Sequence, residues 1–106
     1  MEFTSLYEWN NILNKIFEGT EYRAMPNGGK GSHAGIAIVP RAAEKPQLIC
    51  VHPKERNDAA IVLKPYVYEK ISKRIFLKPQ SNTSQKVAFR DVPDNEIIRI
   101  CKLLIS

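Results

Sequence analysis

Residues 28–33 read Gly-Gly-Lys-Gly-Ser-His, and His33 is one of only two histidines in the chain. An imidazole with an ordinary pKa of about 6.5 takes up or gives away a proton near neutrality, and glycine lets a backbone approach closely. Such a stretch can cradle a phosphate, place a catalytic imidazole, or turn the chain. The first use fails on spacing. A phosphate-binding loop needs Gly-x-x-x-x-Gly-Lys-Ser/Thr between a strand and a helix, so that backbone N–H groups converge on the anion. Here Gly31 follows Lys30, Ala24 stands where the earlier glycine belongs, and a β-like run comes next. A dinucleotide site fails as well, because the chain lacks alternating strand and helix units.

Phosphodiester chemistry fits better. The 2′-hydroxyl of RNA attacks its own phosphate once a base removes its proton, and nearby cations stabilise the charge that develops. His33 is the candidate general base and Lys30 the nearest candidate cation. A plain turn ending in an exposed or hydrogen-bonded histidine is the competing use. His52, between Val51 and Pro53, has two readings of its own: a partner beside His33 on a neighbouring strand, or an exposed residue where a loop begins. Cys50 and Cys101 lie in apolar stretches and read as free, buried thiols. Together with the histidines they have no Cys-x-x-Cys or His-x-x-x-His spacing, so neither a metal nor any other cofactor is expected.

The elements that must position these residues follow from spacing. Ser5-Leu6-Tyr7-Glu8 has the form of a capping box, and Leu6, Trp9, Ile12, Leu13, Ile16 and Phe17 recur at helical intervals until Gly19 stops the run. The polar side of that helix, with Asn10, Asn11, Asn14 and Lys15, is too mixed for a membrane anchor. Tyr22 to Met25 has the look of a short strand, and Pro26-Asn27-Gly28-Gly29 of a turn. Three β-rich stretches, 34–40, 47–52 and 59–63, are joined by short polar connections and predict an antiparallel meander.

Pro65 suits a first helical position; Val67, Ile71 and Ile75 then recur every four residues, with Lys70, Lys73 and Arg74 on another face. Tyr66 and Tyr68 flank Val67 and either stack on bases beside Lys64 and Lys70 or pack half-buried. Residues 80–85 read as a mobile loop, 86–90 as a short strand. A third helix opens at Pro93-Asp94-Asn95-Glu96, with Ile97, Ile98, Cys101, Leu104 and Ile105 marking its buried side. The expected fold is a single α+β domain over residues 1–106, a small antiparallel sheet with helices packed on one face, in the order α-β-β-β-α-β-α.

The totals bound the partners. A chain of 106 residues holds one modest core, and its 43% hydrophobic and 25% charged content excludes wholesale disorder. No apolar run is long enough to span a bilayer, and Met1-Glu2-Phe3 lacks the basic start of a secretion signal, so a cytoplasmic chain without membrane contact is expected. The net charge of +5 is concentrated in residues 41–78, where nine Lys/Arg face four Asp/Glu. A basic segment in a folded domain suits a polyanion, nucleic acid first; a merely solvated surface is the alternative. Arg41, Lys64, Lys70, Lys73 and Arg74 are the candidate phosphate contacts.

Several of these pieces occur in a familiar order. Trp9 to Gly19, Tyr22-Arg23, Lys30-Gly31-Ser32-His33, Cys50-Val51-His52 and Lys64 to Ile75 together resemble HicA-type mRNA interferase toxins over about the first 75 residues. The resemblance implies a fold like a double-stranded-RNA-binding domain, metal-independent endoribonuclease activity that requires His33, and an antitoxin as protein partner. Two readings stand beside it. One is a noncatalytic nucleic-acid-binding module. The other is a protein-binding inhibitor or adaptor, such as a phage-encoded blocker of a host defence nuclease.

Overall fold

The structure, a computed structural model, describes residues 6–28, 34–41, 49–52 and 60–106. Helix α1 (Leu6–Ile16) buries Trp9, Leu13 and, just past its end, Phe17, at the four-residue spacing that keeps them on one side. Gly19 then takes φ +75°, a left-handed conformation that glycine adopts without strain. Beside it, the N–H of Thr20 donates to the Phe17 carbonyl at 3.0 Å and the Thr20 hydroxyl to the same oxygen at 2.6 Å. Ser5, the expected cap of this helix, lies outside the described residues.

The fold class is the expected one: an α+β domain whose helices pack on one face of an antiparallel sheet. Six strands form that sheet: β1 (Tyr22–Gly28), β2 (Ala34–Pro40), β3 (Ile49–His52), β4 (Ala60–Leu63), β5 (Ser81–Asn82) and β6 (Val87–Phe89), in the spatial order β1-β2-β3-β4-β6-β5. Helix α2 (Pro65–Ile71) with a 3-10 turn (Ser72–Arg74), and helix α3 (Asp94–Leu103), complete it. The order thus contains two strands beyond α-β-β-β-α-β-α: β1, read from the sequence as a short strand over Tyr22 to Met25 and here running on to Gly28, and the short β5. Register explains the core. Ala24, Ile38, Ile49, Leu63 and Val87 form one row across the sheet, and Pro26, Ile36, Val51, Ile61 and Phe89 form the next. Trp9, Leu13 and Phe17 from α1, Val67, Ile71 and Ile75 from the α2 segment, and Ile97, Ile100, Cys101 and Leu104 from α3 share one cluster with the buried members of these rows.

Three local expectations change. Pro26, Asn27 and Gly28 are not the turn but the last residues of β1, paired with Ile36, Gly35 and Ala34. The stretch read as a mobile loop forms a hairpin, in which the Thr83 hydroxyl accepts from the N–H groups of Gln85 and Lys86 and the Thr83 N–H donates to the Lys86 carbonyl. In α3 the buried stripe is Ile97, Ile100, Cys101 and Leu104, while Ile98 is half-buried and Ile105 exposed. Apolar residues surround much of that helix, and only packing against the sheet selects which of them turn inward.

The outer edge of β1 is closed rather than open to pairing. The Asn14 side chain accepts from the Ala24 N–H at 2.9 Å and donates to the Ala24 carbonyl at 2.9 Å, as a neighbouring strand would. Two residues earlier the Tyr22 N–H donates to the Thr20 hydroxyl oxygen, and two residues later Pro26 has no N–H to offer. Asn14, expected on a solvated polar face, is thus the chief protector of the edge. Replacing it with alanine removes two half-buried hydrogen bonds and should cost about 1–3 kcal/mol. Urea denaturation reads the loss, and sedimentation of Asn14→Ala should show concentration-dependent association that the parent chain lacks.

Cys101 is a free thiol with no exposed surface, and burial pushes its pKa from 9.0 up to about 12. The folded chain therefore keeps a proton that the unfolded chain releases above pH 9. The sign is fixed: this contribution is complete below pH 9 and is lost as pH rises toward 12. Denaturation at pH 7, 9 and 10.5 should show falling stability, with a shallower fall in Cys101→Ala.

Candidate nucleic-acid interface

The excess positive charge belongs to one part of the fold. Residues 1–63 hold seven Lys/Arg and seven Asp/Glu, whereas residues 64–106 hold nine and four. All of the net +5 is thus carried by the part of the chain that begins at Lys64, the residue before α2. Helix α2 gives part of it a direction. Because Val67 and Ile71 turn into the core, Tyr66 and Lys70, at positions i and i+4 of α2, share an outward flank with Glu69 beside them, and Lys73 follows in the 3-10 turn. Lys70 and Lys73 are exposed, and neither bonds to another described residue.

The tyrosines divide between the two uses considered for them. Tyr66 is 52% exposed. Partial desolvation raises the pKa of its hydroxyl. Tyr22, half-buried with its ring 6.0 Å from that of Phe17, is raised first by desolvation and then by the charge of Glu21 and by Tyr66. Tyr68 packs inward, its ring 5.9 Å from that of Phe89. Of Tyr66 and Tyr68, Tyr66 is therefore the one positioned to meet a partner.

Two of the expected phosphate contacts hold the fold together. The Arg41 Nε donates to the Thr20 carbonyl at 2.9 Å and its Nη2 to the Phe17 carbonyl at 3.3 Å, which places a guanidinium at the C-terminal end of α1. That is where a helix leaves carbonyls unsatisfied and its dipole favours a cation. Arg74 does the same for α3, donating to the Leu103 carbonyl at 3.5 Å and the Ser106 hydroxyl at 2.8 Å. Both side chains remain exposed. Lys64 is the half-buried, extended residue that joins β4 to α2.

Register also fixes which strand ends lie together. Val51 pairs with Ile36, so β3 ends on His52 level with Gly35, next to the residue that begins β2, Ala34. Ala34 follows His33 in sequence. The opposite end of the same hairpin pairs Tyr22 with Pro40, and the Arg41 N–H donates to the Glu21 carbonyl there at 2.7 Å. Leu63 lies in the row of Ala24 and Ile38, so Lys64 also leaves the sheet at this end. Seven residues of β1 put the two ends about 20 Å apart. Arg41 and Lys64 are thus brought together, away from the end that carries Gly28, Ala34 and His52. Lys30 and His33 lie outside the described residues.

A feature not singled out from the sequence lies between the 3-10 turn and α3. Phe76 is 85% exposed, and the Arg99 guanidinium sits 5.3 Å from the centre of its ring. The Arg99 Nε donates to the Glu96 carboxylate at 2.9 Å, and this bond raises the guanidinium pKa further. The signal was present in the alternation of Ile75, Phe76 and Leu77, but an apolar run of that length reads as core. Among the described residues, no three His, Cys, Asp or Glu side chains converge to hold a metal ion, and no helix is long and apolar enough to cross a membrane. Compared with known proteins, the chain matches no family model, no curated protein and no solved structure.

Proposed function

We propose that this domain binds single-stranded nucleic acid, RNA foremost, through the basic surface that runs from α2 to α3. The observation that carries the proposal is the exposure of Tyr66, Lys70 and Lys73 along α2 and the 3-10 turn that follows it, in the part of the chain, residues 64–106, that holds the whole net charge. Two unpaired ammonium groups beside an exposed aromatic ring suit a phosphodiester backbone and its bases, because each neutralised phosphate releases counterions. Arg41 and Arg74, tied to carbonyls by some of their donors, serve as fixed positive charges rather than as freely moving contacts.

Cleavage by His33 is the sharper form of the proposal, and the strand ends favour it: β2 starts immediately after His33 at the end of the sheet where β3 stops on His52. In that form His33 removes the proton from a 2′-hydroxyl, the 2′-oxygen bonds to the adjacent phosphorus, and the P–O5′ bond breaks to leave a 2′,3′-cyclic phosphate. The departing 5′-oxygen takes a proton from the imidazolium or from water, Lys30 stabilises the phosphorane charge, and no metal takes part. The resemblance to HicA-type toxins supports the same chemistry and names an antitoxin as the protein partner. RNA rather than DNA follows from this chemistry, since only RNA supplies the attacking hydroxyl.

The test uses a labelled RNA 12-mer, EDTA and a salt series from 50 to 200 mM. The expected result is salt-dependent binding. The Lys70→Ala/Lys73→Ala double variant should flatten the slope of log K against log salt by about 1.4, the share of two phosphate contacts on a single strand. His33→Ala should bind equally but abolish any cleavage. Absence of binding at 50 mM salt, or a slope that the double variant leaves unchanged, overturns the proposal and leaves the surface to a protein partner.

A further inference from the structure

The most exposed large apolar side chain among the described residues is Phe76. Its exposure is imposed by local backbone. Ile75, at φ −103° and ψ 119°, is extended; Ile75 turns into the core and Leu77 packs half-buried against it, so the residue between them points away. A polar side chain would satisfy that position. Phenylalanine there leaves an apolar ring in water, and isolated exposure of this kind would be unremarkable were the ring not part of a built arrangement.

That arrangement has three parts. Arg99 lies over the ring at 5.3 Å, within the range of a cation–π contact. Glu96 fixes the guanidinium through two hydrogen bonds from Nε and Nη2 to the same carboxylate oxygen. Arg74, two residues before Phe76, is anchored on the Leu103 carbonyl and the Ser106 hydroxyl, which pins the 3-10 turn against the end of α3. Lys73, Lys78 and Lys102 are exposed on the same short segments. The result is an aromatic ring held out from the surface and covered in part by one arginine, on a segment whose sequence neighbours Lys73, Arg74 and Lys78 are exposed cations.

We infer that Phe76, backed by Arg99, is a stacking platform for one unpaired nucleobase of a bound single strand. Every base has a π-face, so stacking is tolerant of sequence, and surrounding cations neutralise the adjoining phosphates. Charge complementarity selects this occupant over an apolar peptide, because the ring carries Arg99 against it, the segment 73–78 bears Lys73, Arg74 and Lys78 and no acidic residue, and Glu96 is already engaged by Arg99. A duplex, whose bases are already stacked and paired, has no free base to offer. The inference rests on the proposed nucleic-acid binding and adds to it a named contact for the base.

The experiment measures fluorescence anisotropy of labelled oligo-U, oligo-dT and a duplex of equal length with the full chain, Phe76→Ala and Phe76→Trp. Phe76 is exposed, so neither substitution disturbs the core. For both single strands, Phe76→Ala should weaken binding roughly 5- to 150-fold without changing the salt slope. Phe76→Trp should retain binding and show quenched indole emission on addition of the strand. For the duplex, Phe76→Ala should match the parent chain. If the parent chain binds single strands but Phe76→Ala binds them equally well, the platform is refuted while nucleic-acid binding stands. If the parent chain binds no strand at all, both fall together.

Discussion

Three helices have to cover one face of the sheet, and that covering decides where the charges of the C-terminal half go. The buried members of two rows of mostly aliphatic residues, one through Ile38 and Leu63 and the next through Ile36, Val51, Ile61 and Phe89, form the floor of the core. Val67, Ile71 and Ile75 must turn down onto that floor, so Lys70 and Lys73 turn out. Ile97, Ile100, Cys101 and Leu104 must do the same, so Arg99 and Lys102 turn out. Hydrophobic burial is nondirectional and large, whereas exposed ion pairs contribute little. The core therefore sets the cationic surface as a by-product of its own packing, and function can make use of it without cost to stability.

The sheet also has to end. Six antiparallel strands leave two edges, and a seven-residue strand with free backbone groups invites pairing with another chain. Helix α1 supplies the answer from its own sequence. Asn14 offers one acceptor and one donor at the spacing of a strand, and Thr20 and Pro26 deal with the positions on either side. At the other edge β5 is only two residues long. Arg41 ties the start of the next connection back to the end of α1, so helix, hairpin and edge are held at a single corner. Polar side chains that look like surface in the sequence thus carry much of the directional bonding of the fold.

The parts legible in the sequence are those governed by local periodicity. The stripe of Trp9, Leu13 and Phe17, the stop at Gly19, the four-residue recurrence of Val67, Ile71 and Ile75, and the strands at 34–40 and 60–63 all follow from spacing alone. What was not legible depends on partners distant in sequence. Pro26-Asn27-Gly28 carries turn residues, yet it extends a strand because the proline nitrogen lies on the outer edge of the sheet, where no ladder donor is needed. Arg41 reads as a phosphate contact until the carbonyls of Phe17 and Thr20 are found beside it. Ile100 rather than Ile105 is buried because the sheet, not the helix, selects the centre of the apolar face. Of the candidate site, the exposure of Lys70, Lys73 and Arg74 was legible from the burial of Val67, Ile71 and Ile75; the pairing of Phe76 with Arg99 was not, because it joins residues from two separate elements.

The separation of the two hairpin ends restricts what any chemistry at His33 can draw on. A charge 20 Å away contributes little through water at physiological ionic strength, where screening sets in at about 8 Å. Arg41 and Lys64 sit at the end of the sheet remote from Gly28 and Ala34, too far to stabilise charge developing next to the start of β2. Neutralising charge for cleavage would have to come from residues nearer the hairpin end, with Lys30 the first in sequence. In the proposed function, cleavage at the hairpin end would thus be independent of the charges of Arg41 and Lys64, and a bound strand would have to span about 20 Å to meet both ends of the sheet.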